Sequence, residues 1–141
     1  MSDWPDIEGA MRDYLRADTA VNALIGNRQF FAVPATPTYP LLTVSRVGGG
    51  QDADTDAPID VALVSIDIWG ELDANGYGDK AGALAVVNAV RSALEAISGR
   101  TTLTNGVTGH GAEVVGVAWA PDPDNGRPHY AVTAEVTATS S

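Results

Sequence analysis

Carboxylates concentrate in one loop, and their spacing suggests cation chemistry. Asp52-Ala53-Asp54-Thr55-Asp56-Ala57-Pro58-Ile59-Asp60 places acidic side chains at positions 1, 3, 5 and 9 of a calcium-binding loop frame. That frame calls for Gly at its sixth position and a bidentate Glu at its twelfth, where this chain has Ala57 and Leu63. Strand-like sequence flanks the loop where the calcium frame has helices. The competing reading, a solvated acidic loop, fits these departures better. The wider pattern says more: from Val47 to Asp79 there are eight acidic residues and no Lys or Arg. A single-sign stretch makes a local negative field that repels phosphate. It serves solubility, or a surface that faces a basic partner or passing nucleic acid.

The other chemically capable residues form no catalytic set. His110 and His129 lie in or beside loops, with no nucleophile elbow, no His pair and no Glu-x-x-His element to support them. Gly48-Gly49-Gly50 and the run Gly106 to Gly111 resemble phosphate loops only in glycine content. Neither is followed by Lys-Ser/Thr, and neither opens a helix whose N-terminus could hold an anion, so both read as hairpin loops. Trp69 and Trp119 each fall at the end of an expected strand, where a large ring is core or a subunit contact. Trp69, Trp119 and Arg127 are the candidate subunit contacts. No catalytic, cofactor-binding or metal-ligating residue is assigned, and the expected role is not that of an enzyme.

These residues need a scaffold, and hydrophobic periodicity outlines it. Residues 3 to 26 read as helical, with Asp3 or Asp6 at the positive end, Pro5 in the first turn, and Ile7, Met11, Tyr14 and Leu15 on one stripe. Asp18 opens a second short helix carrying Val21, Leu24 and Ile25, and Gly26 stops it. Phe30 to Val33 is a short edge piece running into three prolines, and Leu41 to Val47 is a better strand. Residues 48 to 58 read as a loop. Val61 to Trp69 alternates, with one wholly apolar face. From Asp79 to Ile97 comes the strongest helix, with Leu84, Val87, Val90, Leu94 and Ile97 as its buried stripe. Strands near Glu113 to Ala120 and His129 to Ala138 follow, joined by a turn containing Asn125-Gly126. The order α-(α)-β-β-β-α-β-β predicts one α+β domain spanning residues 1–141. Its helices should pack on one face of a largely antiparallel or mixed sheet.

Composition narrows the classes. The chain has 141 residues, enough for one domain, and 45% of them are apolar, enough for a core. Eight basic residues against 18 acidic ones give a formal charge of -10, which argues against nucleic acid or anionic membrane as a principal ligand. Cysteine is absent, removing disulfides, thiolate zinc sites and a Cys nucleophile together. The first residues lack a basic start and an apolar run, so no secretory signal is expected. The longest apolar run, Ala83 to Val87, is far short of the ~20 residues needed to cross a bilayer.

Taken in order, the phrases of this chain resemble the tail terminator (tail completion) proteins of long-tailed bacteriophages. The resemblance runs through Asp18-Thr19-Ala20-Val21-Asn22-Ala23-Leu24-Ile25-Gly26 and then Tyr39-Pro40-Leu41-Leu42-Thr43-Val44. It continues with Ser65-Ile66-Asp67-Ile68-Trp69 before the long helix, the Asp122 to Gly126 turn, and Tyr130-Ala131-Val132. The acidic loop and the glycine-rich segment at 104 to 111 look peculiar to this sequence. What the resemblance implies is structural: a homo-oligomeric ring, hexameric when assembled, that caps the tail tube protein and offers a docking face to the head-side connector protein. DNA would pass through the lumen without specific binding. The protein would be assembled in the host cytoplasm and reside in the virion tail, with no membrane partner. Asp52, Asp54, Asp56 and Asp60 are then the candidate assembly or lumen loop, and neutralising all four is expected to impair assembly while moving stability little. Another neck or minor tail component is the nearest alternative; a small cytosolic ligand-binding domain or enzyme is the alternative of a different class.

Overall fold

The computed structural model describes residues 5–51 and 59–140, so Asp3 and the carboxylates Asp52, Asp54 and Asp56 lie outside the described residues. The element order is α1 (Ile7–Ala17), α2 (Thr19–Ile25), β1 (Gln29–Phe30), β2 (Leu41–Gln51), β3 (Ile59–Trp69), α3 (Lys80–Glu95), β4 (Ser98–Thr102), β5 (Val107–Trp119) and β6 (His129–Ser140). It is a mixed α+β fold of three helices and a six-stranded sheet in the order β1-β2-β3-β6-β5-β4. β1 lies parallel to β2, and every other neighbouring pair is antiparallel.

Each helix begins on an aspartate whose carboxylate accepts a backbone N–H three residues on: Asp6 from Gly9 at 3.1 Å, Asp18 from Val21 at 3.0 Å, and Asp79 from Gly82 at 2.8 Å. Three of the acidic residues are thus used to satisfy amides left free at helix starts. Gly26 ends α2 with a φ of 57°, as the sequence suggested.

The core forms where strand parity and helix stripes meet. In β3 and β6 the pairs Ala62–Val136, Val64–Ala134, Ile66–Val132 and Ile68–Tyr130 stand opposite one another. All eight are buried in one cluster with Ile7, Met11 and Leu15 of α1 and with Val21 and Ile25 of α2. From α3 the cluster takes Ala83, Val86, Val87, Val90, Ala93 and Leu94, with Ile97 just beyond its end. Tyr14 caps this packing, its hydroxyl donating to the Ala93 carbonyl at 2.6 Å. Burial pushes the Tyr14 phenol above its usual pKa, and the Asp18 charge adds to the shift.

Several expectations need correction. Leu84 is not in the buried stripe: it is 42% exposed, because the buried face of α3 is centred on Val90 and small Ala83 takes the place next to the sheet. Leu24 is likewise exposed. Gly48, Gly49 and Gly50 are strand residues paired with Leu63, Ala62 and Val61, past a bulge at Val47. Similarly Gly109 and Gly111 belong to β5, not to a hairpin loop. Backbone pairing overrode the glycine signal in both places. β4 follows α3 directly where only a helix stop was expected, and β1 is shorter than the Phe30 to Val33 segment.

Candidate functional site

The register brings the sequence-marked aromatics to one end of the sheet. Trp69 closes β3 opposite His129, and Trp119 closes β5 opposite Tyr130. The Trp69 and His129 rings are stacked, 3.9 Å between centroids and 8° apart in plane. Trp119 tilts against Tyr130 at 4.9 Å, and the Lys80 ammonium lies 4.4 Å from the Trp119 ring centre. The Arg127 guanidinium covers Tyr39 at 3.6 Å and donates to the Gly70 carbonyl at 3.0 Å. Each cation faces an aromatic ring, an arrangement that suits a contact surface better than a ligand cavity.

Two loops build this end. In residues 121–128 the Asp122 carboxylate accepts from the Asp124 N–H, and Asn125 Oδ1 accepts from the Arg127 N–H. Gly126 takes the turn at a φ of 73°, the left-handed conformation the Asn-Gly pair signalled. Pro128 then packs between glycines: a Cβ on Gly70 would lie 2.9 Å from Pro128 Cβ, and one on Gly78 would lie 2.7 Å from Pro128 Cγ. Across this contact the Gly70 N–H donates to the Pro128 carbonyl at 2.8 Å. The neighbouring depression is lined by Glu71, Asp73, Asp79 and the exposed Tyr77 and is open to solvent.

The polar groups beside Trp69 do not make a hydrolytic triad. His129 Nε2 is 2.7 Å from Asp67 Oδ1, and its Nδ1 is 2.9 Å from the Ala120 carbonyl. Ser65 donates to Asp67, 3.1 Å away, so the carboxylate stands between hydroxyl and imidazole. A triad needs the imidazole in the middle, taking the hydroxyl proton. His110 is at the other end of the sheet, bonded to Thr139 Oγ1 at 2.9 Å and to the Gly99 carbonyl at 3.1 Å, where it ties β4, β5 and β6 together. Among the described residues, no three His, Asp or Glu side chains converge as metal ligands.

Asp60 differs from the loop it was grouped with. Its side chain is 0% exposed, and Arg46 binds it with both guanidinium arms, Nη2–Oδ1 at 2.7 Å and Nη1 to Oδ2. Arg46 also donates from Nε to the Gly48 carbonyl at 3.1 Å, bracing the bulge. The Asp60 hydrogen bonds hold the Arg46 guanidinium above its ordinary pKa against the opposing effect of burial. Asp60 therefore belongs to a core ion pair toward the loop end of the β2–β3 hairpin. Strand parity carried the signal: Arg46 continues Leu42 and Val44, and Asp60 precedes Ala62 and Val64, all facing the core.

The family model described as "Tail completion protein gp17" matches residues 9–137. A chain from a structure titled "Virion of native gene transfer agent (GTA) particle" shares the fold, with a TM-score of 0.66, 20% identity and 94% of each chain covered. No curated protein matches in sequence.

Proposed function

Because the chain belongs to the tail completion protein gp17 family and is a structural protein of a phage tail, we propose that it closes the tail tube as a ring of six copies and presents a docking face to the head-side connector. The match over residues 9–137 carries this reading. Three features support it. At the Trp69 end the large side chains pair locally, Trp69 with His129, Lys80 with Trp119 and Arg127 with Tyr39, without enclosing a reaction centre. The hydroxyl, carboxylate and imidazole on the outer sheet face are arranged against nucleophile activation. The net charge of -10 suits a lumen through which DNA slides, since a basic lining would retain it by counterion release.

On this reading Trp69, Trp119 and Arg127 contribute to contacts between copies or with the connector, and Asp52, Asp54 and Asp56 line the lumen or meet a basic partner. Assembly takes place in the host cytoplasm, and the protein ends in the virion tail. Among the described residues, no helix is long and apolar enough to cross a membrane. The role is architectural, without cofactor or catalysis. The experiment that tests it is completion in vitro: tail tubes lacking this protein should become competent to join heads when it is added. Tubes that join heads equally well without it would overturn the proposal.

A further inference from the structure

The two end strands of the sheet are too short to cover their neighbours. β1 pairs only with Leu42 and Thr43 of β2, and β4 only with the stretch Thr108 to Gly111 of β5. Among the described residues, no strand pairs with the outer edge of β2 from Ser45 to Gln51, or with that of β5 from Ala112 to Trp119. The β5 segment is apolar and solvent-facing: Val115 is 54% exposed, Val117 41% and Trp119 42%. It contains no lysine or proline of its own; a bulge at Val115 and Lys80 over Trp119 interrupt it only locally, and apolar open edges recruit another strand.

We infer that copies of this chain join head to tail through these edges, β5 (Ala112–Trp119) of one adding as a strand beside β2 (Ser45–Gln51) of the next. This deepens the ring reading above and rests on it. Four observations favour a second copy as the occupant. The segments match in length, eight residues against seven. Three antiparallel steps separate β2 from β5 through β3 and β6, so the two strands run oppositely within a chain. Copies related by rotation about an axis to which the strands are tilted, as in a barrel, keep this opposite sense and meet in antiparallel pairing. The free segments are also offset along the sheet: Ser45–Gln51 is level with Asp60–Ser65 of β3, whereas Ala112–Trp119 is level, through β6, with Ala62–Ile68, a shift of two to three residues. Joining them staggers each copy against the next, and a closed sheet requires such stagger. Finally, the segments are poor in charge for a chain of net -10: one carries only Glu113, and Arg46 on the other is already neutralised by Asp60. Copies thus approach at edges where repulsion is weak. Unlike pairing of β5 with itself, this contact fills both edges and, being heterologous, closes into a ring when its rotation closes.

The chain has no cysteine, so placed thiols report without interference. Val47→Cys and Val117→Cys, both at exposed positions, are prepared separately, mixed, concentrated in magnesium and treated with a short bis-maleimide. The expected product is a Val47→Cys–Val117→Cys heterodimer, several-fold above either homodimer, and a chain carrying both changes should give a ladder ending at the closed ring. In parallel, Val117→Lys should keep the wild-type melting temperature and lose ring formation in electron micrographs. A dominant Val117→Cys homodimer would overturn the inference in favour of a two-fold β5 contact. Wild-type rings that persist in Val117→Lys, without heterodimer, would overturn the edge contact and leave the ring standing. Absence of both rings and heterodimer would overturn both. Heterodimer from a wild type that never forms rings would uphold the edge contact and overturn the ring.

Discussion

Removing the cation from the Arg46–Asp60 pair should cost more stability than any change in the acidic residues around it. Asp60 is fully enclosed, and Arg46, whose side chain is 29% exposed, supplies its charge partner through two hydrogen bonds. Arg46→Ala would leave a buried carboxylate without a cation, a loss of about 3–5 kcal/mol, nearer the lower figure because water can enter the space Arg46 vacates. Asp60→Asn keeps the volume and one acceptor, and should cost about 1.5–3 kcal/mol. With a urea m-value of about 1–3 kcal/mol/M, a loss of about 3 kcal/mol lowers the unfolding midpoint by about 1–3 M. The double change Arg46→Met with Asp60→Leu should recover most of the loss, since an apolar pair of similar volume avoids charge burial altogether. Urea titrations followed by circular dichroism and tryptophan fluorescence read all four proteins. If Arg46→Ala and Asp60→Asn both unfolded within about 0.5 kcal/mol of wild type, the ion pair would have no structural weight and the reasoning would fail. The same logic revises the expectation for the four aspartates together: the stability loss should come from Asp60, and the triple change of Asp52, Asp54 and Asp56 to Asn should leave the melting temperature unchanged.

Leu94→Ala, in the fully buried stripe of α3, should cost about 2–5 kcal/mol, while Leu84→Ala should stay within about 0.5 kcal/mol; equal effects in urea titration would misplace the helix face. Gly78→Ala should destabilise by about 1–3 kcal/mol, because the new methyl meets Pro128, whereas Gly111→Ala, at a site with open space and no left-handed backbone, should stay within about 0.5 kcal/mol; NMR should show the Arg127–Tyr39 contact loosened in Gly78→Ala alone. Asp13 accepts from the Thr104 hydroxyl at 2.7 Å, and that bond, opposed by partial burial and aided by Arg12, holds its carboxyl below the usual 3.8. The stabilisation is present above pH 3.8 and is lost as the pH falls through the lowered value, so the stability gap between wild type and Thr104→Val, about 1 kcal/mol at pH 7, should close toward pH 2. Chains each carrying -10 repel over a screening length of ~10 Å at 0.1 M salt, so added salt or magnesium should favour assembly in sedimentation experiments.

Features governed by local physics were legible in the sequence. Asp18 and Gly26 mark the two ends of α2 because cap chemistry is contained within a few residues. The alternation of Ala62, Val64, Ile66 and Ile68 exposes the core face of β3 for the same reason. What depended on distant partners was not legible. Gly48 to Gly50 look like a loop until β3 pairs with them, and Leu84 looks buried until Ala83 is seen to be the closer neighbour of the sheet. β4 exists because residues after α3 fold back along β5, which no pattern within Ser98 to Thr102 announces. At the candidate site, Trp69, Trp119 and Arg127 were marked by type, but their common location follows from strand register and from Pro128 locking two loops. The Arg46–Asp60 pair was hidden by grouping Asp60 with its acidic neighbours, although its parity placed it inside.

The central claim is that this chain closes a tail as a ring, and the most direct measurement is electron microscopy with native mass determination on the purified protein, free and bound to tail tubes lacking it. The account predicts six-fold rings that form in magnesium or high salt and sit at one end of each tube. A protein that remained monomeric at high concentration, in magnesium and in the presence of tubes would contradict it.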